Sequence, residues 1–138
     1  MKSIATYNES VLEHKVKPVV LDRDEVFRRA MEDVDLLEGV FDLFLEDYPD
    51  RLRCVNESIE QGDAAALRSS AHVLKGALGN LAAKAACETA HQLEKSGAES
   101  SLAAAPKLIA QVQDQVVELE LEFESFVRSL KTTSSGTV

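Results

Sequence analysis

Within the segment Ala71-His72-Val73-Leu74-Lys75-Gly76, an imidazole, an ammonium group and a missing side chain come together at helical spacing. Residues three and four apart are neighbours on a helix surface, so His72 shares its face with Lys75 and Gly76. An imidazole nitrogen is a nucleophile, and a cation beside it offsets the charge of a transferred anion. Such a face is suited to handling a phosphoryl group. Glycine within a helix costs roughly 1 kcal/mol against alanine. Gly76 therefore asks for a reason, and a flat patch that lets another protein approach the ring supplies one. Gly79 is open to two readings: part of that docking patch, or the start of unwinding towards a turn.

Periodicity predicts that His72 lies outside the core. Leu67, Ala71, Leu74, Leu78 and Leu81 recur at spacings of 4, 3, 4 and 3, the apolar seam of an amphipathic helix. Arg68, His72, Lys75 and Gly79 form a second stripe one residue on, rotated by about 100°. The ring is expected at the boundary, with Arg68, Gly76, Gly79 and Leu78 around it as the surface that meets a partner.

A helical hairpin brings further groups to the same level. If the chain turns at Gly79-Asn80-Leu81 and a second helix runs over about 82–96, His72 faces roughly residue 89. His91 and Glu94 then fall within about a turn of it. Ala86, Ala90 and Leu93 are the core seam of this second helix, and Cys87, His91 and Glu94 lie one step round.

The rest of the chain reads as the frame for that hairpin. Asp22-Arg23-Asp24-Glu25 has the form of a capping box and predicts a short helix over about 23–31. A wide apolar face of Leu36, Leu37, Val40, Phe41, Phe44, Leu45 and Tyr48 continues past Pro49 through Leu52, Val55 and Ile59. Proline removes a helical hydrogen bond, so this is one kinked helix or two successive ones. Gly62-Asp63 ends that element and caps the helix carrying His72, while Ser96-Gly97 closes the second helix of the hairpin. A last helix starts between 102 and 106 and runs to about 130, burying Leu108, Ile109, Val112, Val116, Leu119, Phe123, Phe126, Val127 and Leu130. Residues 1–20, which include His14, read as a linker or flexible lead-in, and residues 131–138 as a disordered tail. The expected fold is all-α: an up-down-up-down four-helix bundle over residues 21–130, with a short extra N-terminal helix.

Composition bounds the function. The chain is one domain by length, aromatic residues make up 5% of it, and alanine, leucine and glutamate are plentiful. A formal charge of −9 argues against nucleic acid and anionic membrane as partners. Residues 22–60 carry 13 acidic and 5 basic side chains, whereas residues 64–95 carry 2 and 4. The one positive patch of the predicted fold thus surrounds His72, where Arg68, Lys75 and Lys84 would attract a phosphoryl group; chance scatter over solvated faces is the alternative. The absence of a long apolar run and of a secretion signal predicts a soluble, cytoplasmic protein. Cys54 and Cys87 read as reduced, partly buried small hydrophobes rather than as a disulfide or zinc site.

The stretch His72-Val73-Leu74-Lys75-Gly76-Ala77-Leu78-Gly79-Asn80-Leu81, with Leu93-Glu94 downstream, resembles the histidine-containing phosphotransfer (HPt) domain of bacterial two-component phosphorelays. The resemblance extends over residues 21–130. Glu88-Thr89-Ala90-His91-Gln92-Leu93-Glu94 further resembles the phosphotransfer domain of the chemotaxis histidine kinase. The resemblance implies that His72 is the phosphorylated residue and that Lys75, His91 and Glu94 form a hydrogen-bonding network around it. A carboxylate accepting the Nδ1 proton would fix the tautomer and leave Nε2 as the nucleophile.

Two positions depart from the family pattern. Ala82 stands where glycine is usual, and at positive φ would cost roughly 1 kcal/mol. Leu78 stands where a small residue is common, which would alter the docking surface. The function so implied is a phosphocarrier and not an enzyme. It takes a phosphoryl group from a receiver aspartate or a histidine kinase and hands it to a response-regulator receiver. No cofactor of its own is expected, Mg²⁺ belonging to the partner receiver, and the chain is expected to be a monomer. Two other classes remain: an adaptor that docks a receiver without phosphorylation, and a metal-binding bundle with His72, His91 and Glu94 as ligands, against which the charge of Lys75 weighs.

Overall fold

A computed structural model describes residues 17–136, with side chains placed as far as residue 132. His14 and the first sixteen residues lie outside the described residues, as do 137 and 138. The fold is all-helical, with five helices among the described residues: α1 Arg23–Arg29, α2 Val34–Glu60, α3 Ala64–Asn80, α4 Lys84–Ala98 and α5 Ala105–Gly136. Helices α2 to α5 form a four-helix bundle in which each packs on its neighbour in the chain and α5 closes back onto α2. None of the described helices is long and apolar enough to cross a membrane.

Each of the first three helices starts on an aspartate. Asp22, Asp33 and Asp63 accept hydrogen bonds from the backbone N–H groups of Glu25, Leu36 and Ala66 at 3.1, 3.1 and 3.0 Å. At α1 only this half of the predicted capping box forms. The Asp22 N–H instead donates to the Ala82 carbonyl at 2.9 Å, which releases the Glu25 carboxylate to pair with Arg29 and Lys84. Helix α1 ends at Arg29, short of the predicted 31, because Met31 and Glu32 both take positive φ and reverse the chain into α2.

Helix α2 runs unbroken through Pro49, so the segment is one helix and not two successive ones. Its buried face is narrower than predicted. Leu37, Phe41, Phe44 and Val55 are in the core, while Leu36 and Val40 are exposed. Phe41 stacks on Phe123 of α5 at 3.9 Å, and Phe27 of α1 meets Phe126 edge-on at 6.0 Å. The predicted stripe of α5 is the observed one, with Leu108 and Leu130 partly buried at its margins. The helix continues to Gly136, past the expected end at 130.

The lead-in is not all linker. Val19 accepts a hydrogen bond from the Ala85 N–H at 2.9 Å, and Val20 packs against the core. Helix α4 has no side-chain N-cap, and this backbone bond satisfies one of its first free donors. Cys54 is exposed, against expectation, because it lies off the buried line of Val55 and Ser58; Cys87 is partly buried, as predicted.

Candidate functional site

The site is assembled on the α3–α4 hairpin. Leu67, Ala71, Leu74 and Leu78 sink the inner face of α3, and Ala86, Ala90 and Leu93 sink that of α4. These two seams fix the rotation of both helices and leave the next stripe of each at the surface. The His72 side chain is 66% exposed as a result. Its Nδ1 lies 2.8 Å from Glu94 Oε2.

Glu94 is the hub of the cluster. Lys75 Nζ lies 2.6 Å from its Oε1, and His91 Nδ1 approaches the same oxygen at 3.7 Å, too far for a hydrogen bond. The Lys75 contact is an ion pair and not an aligned hydrogen bond. First the Lys75 ammonium and then the His72 N–H hold the Glu94 carboxyl down at about 2, against a burial that works the other way. An ionised carboxylate only accepts, so the proton between the two residues sits on Nδ1 of His72. In the neutral form of the ring Nε2 then carries the free lone pair. The four residues gathered by sequence spacing are thus adjacent in space, with His91 at the periphery.

The surrounding residues divide into three kinds. Arg68 is exposed and, with Ser69, His72, Val73, Glu94 and Gly97, lines an open cleft of about 720 Å³. Gly76 faces open space: a Cβ there would meet nothing within 4 Å. Gly79 lies in the last turn of α3, its carbonyl accepting from the Ala82 N–H at 3.0 Å, and its missing side chain faces Cys87 Sγ at 3.6 Å. Leu78 corrects the sequence expectation. It is completely buried as part of the inner seam and offers nothing to a partner.

Gly97 also plays a part that sequence spacing left unnoticed. It does not close the helix but lies within α4, buried, where a Cβ would stand 2.6 Å from Arg68 N and 2.7 Å from the Ala64 carbonyl oxygen. Only glycine lets the two backbones come so close. The signal was present in the sequence, since Ala86, Ala90, Leu93 and Gly97 continue the core seam at spacings of 4, 3 and 4. Ala82 takes φ 57° in the turn, the conformation expected where glycine is usual, and does so fully buried.

The Lys75 ammonium on Glu94 Oε1 also weighs against a metal held by His72, His91 and Glu94, because a cation already occupies the carboxylate. Among the described residues no group of three such side chains is placed to hold a metal ion.

Comparison with known proteins identifies the family of the fold. The crystal structure of histidine-containing phosphotransfer protein B from Pseudomonas aeruginosa matches with a TM-score of 0.72 and 28% identity, over 80% of this chain and 96% of that one. No curated protein matches the sequence. The model of the Hpt domain family matches residues 39–122, a span that holds the whole of the His72, Lys75, His91 and Glu94 cluster. A helical bundle with an outward imidazole tethered to a carboxylate, matched over most of its length by that family, belongs to it: the chain is an Hpt domain, a phosphotransfer module of two-component signalling.

Proposed function

We propose that His72 Nε2 is the phosphoryl acceptor and that the chain relays the group between receiver aspartates, or from a histidine kinase to a receiver. The observation that carries this reading is the 2.8 Å contact between His72 Nδ1 and Glu94 Oε2, which commits one ring nitrogen of a side chain that is otherwise largely exposed. In the accepting step the Nε2 lone pair attacks the phosphorus of an aspartyl phosphate in line. The N–P bond forms as the P–O bond to the carboxylate breaks, and the aspartate leaves. No proton need move: Nδ1 keeps its hydrogen, the ring becomes cationic, and the ionised Glu94 offsets that charge.

The reverse sequence delivers the group to a second aspartate. Such transfers depend on positioning and charge stabilisation, and Mg²⁺ with the remaining polar groups would come from the receiver. Lys75 holds Glu94 ionised and in place. Gly76 gives the receiver a flat approach to the ring.

The test is transfer from a ³²P-labelled receiver domain to the wild type and to His72→Gln. Acid-labile, base-stable label is expected on the wild type and none on the variant. Binding of the receiver without label on the wild type would identify an adaptor instead.

A further inference from the structure

Two cations flank His72 along α3, and their surroundings differ. Lys75 sits on Glu94 Oε1 at 2.6 Å, with most of its side chain covered. Its ammonium is thereby engaged by a carboxylate whose side chain is only 18% exposed, and any move towards the outer nitrogen of His72 would weaken that ion pair. Arg68, one turn to the N-terminal side, is exposed and forms no ion pair among the described residues. It borders the same cleft as His72 and Glu94.

The backbone of Arg68 is held while its side chain is exposed. Gly97 lies against its backbone, where a Cβ would stand 2.6 Å from Arg68 N and 2.9 Å from its Cα. This end of α3 is therefore clamped in the helix crossing, and the exposed Arg68 side chain borders the cleft. Side chains on a helix lean towards its N-terminus, which carries the His72 ring over the turn that holds Arg68. A planar guanidinium fork matches two oxygens of a phosphoryl group at once.

We infer that Arg68 is the cation that holds the phosphoryl group on His72 Nε2, donating to its oxygens, while Lys75 serves Glu94. This rests on the reading of His72 as the acceptor. It divides the two charges of the site between two tasks, one binding the cargo and the other fixing the carboxylate that orients the ring.

The test needs no receiver. Phosphoramidate phosphorylates the full chain directly: the Nε2–P bond forms, the P–N bond of the donor breaks and ammonia leaves. The phosphoryl resonance is then titrated by ³¹P NMR in the wild type, Arg68→Ala and Arg68→Lys. Removing a neighbouring cation is expected to raise the second ionisation of the phosphoryl group by roughly half a pH unit or more, with Arg68→Lys between the two. Superimposable titrations would overturn the role of Arg68 while leaving His72 as the acceptor. Slower transfer from a receiver with an unchanged titration would overturn it too, as the mark of a docking residue. Absence of any phosphohistidine on the wild type would overturn both readings.

Discussion

The two ends of the α3–α4 hairpin are held by opposite devices. At the turn, polar groups converge. The backbone N–H groups of Asp22 and Ala85 donate to the carbonyls of Ala82 and Val19, and the Arg29 guanidinium donates to the carbonyls of Gly79 and Asn80 at 2.6 and 3.2 Å. At the far end no hydrogen bond joins the two helices among the described residues, and the bare backbone of Gly97 lies against Ala64 and Arg68. Between them, His72 and Glu94 must meet at hydrogen-bonding distance across two helices. The turn end is redundant, since several bonds share its task, whereas the far end depends on a single missing side chain.

Gly97→Val would break this comparison most severely. A β-branched side chain aimed at backbone atoms under 3 Å away must force the helices apart. A loss on the order of 3 kcal/mol is expected, seen as a fall in Tm of roughly 10 °C by circular dichroism. An unchanged Tm would mean that α3 and α4 do not approach so closely. Midway along the hairpin, Glu94→Gln should act through pH. The Glu94 carboxyl titrates at about 2 when folded, against 4.5 without its partners. Its contribution to stability is complete above pH 4.5 and is lost as the pH falls towards 2. Urea unfolding across that range should therefore show a shallower acid loss in the variant, and parallel curves would dissociate Glu94 from Lys75 and His72.

Ala82→Gly should have the smallest effect. Relief of the left-handed conformation is worth about 1–2 kcal/mol. The buried methyl contributes about 0.8 kcal/mol, and glycine costs the unfolded chain roughly 0.5–1 kcal/mol more entropy. The net change is expected to stay within about 1 kcal/mol. A larger gain on chemical denaturation would show that the turn is under more strain than its redundant bonds suggest.

Periodicity made most of this architecture legible. The seams Leu67-Ala71-Leu74-Leu78 and Ala86-Ala90-Leu93 gave the rotation of both hairpin helices, and with it the exposure of His72 and the convergence on Glu94. What sequence left open were effects of tertiary context. Pro49 sits within a helix that packing sustains regardless of one missing bond. Gly97 carries the residue type of a helix terminator but the spacing of a core position, and only the facing backbone decides between them. Leu78 belonged on paper to both the seam and the docking face; three-dimensional packing admits only the first. The hydrogen bonds of Val19 and Asp22 join residues 66 and 60 positions apart, beyond the reach of any local pattern.

The openness of the His72 ring has a temporal consequence. With two-thirds of its side chain in water, a group carried there in the proposed role would be shielded by no lid among the described residues. The intrinsic rate at which water cleaves the N–P bond would then limit how long a signal persists. Relay and decay become competitors in a race, and the local abundance of the next receiver, rather than any motion of the bundle, decides which finishes first.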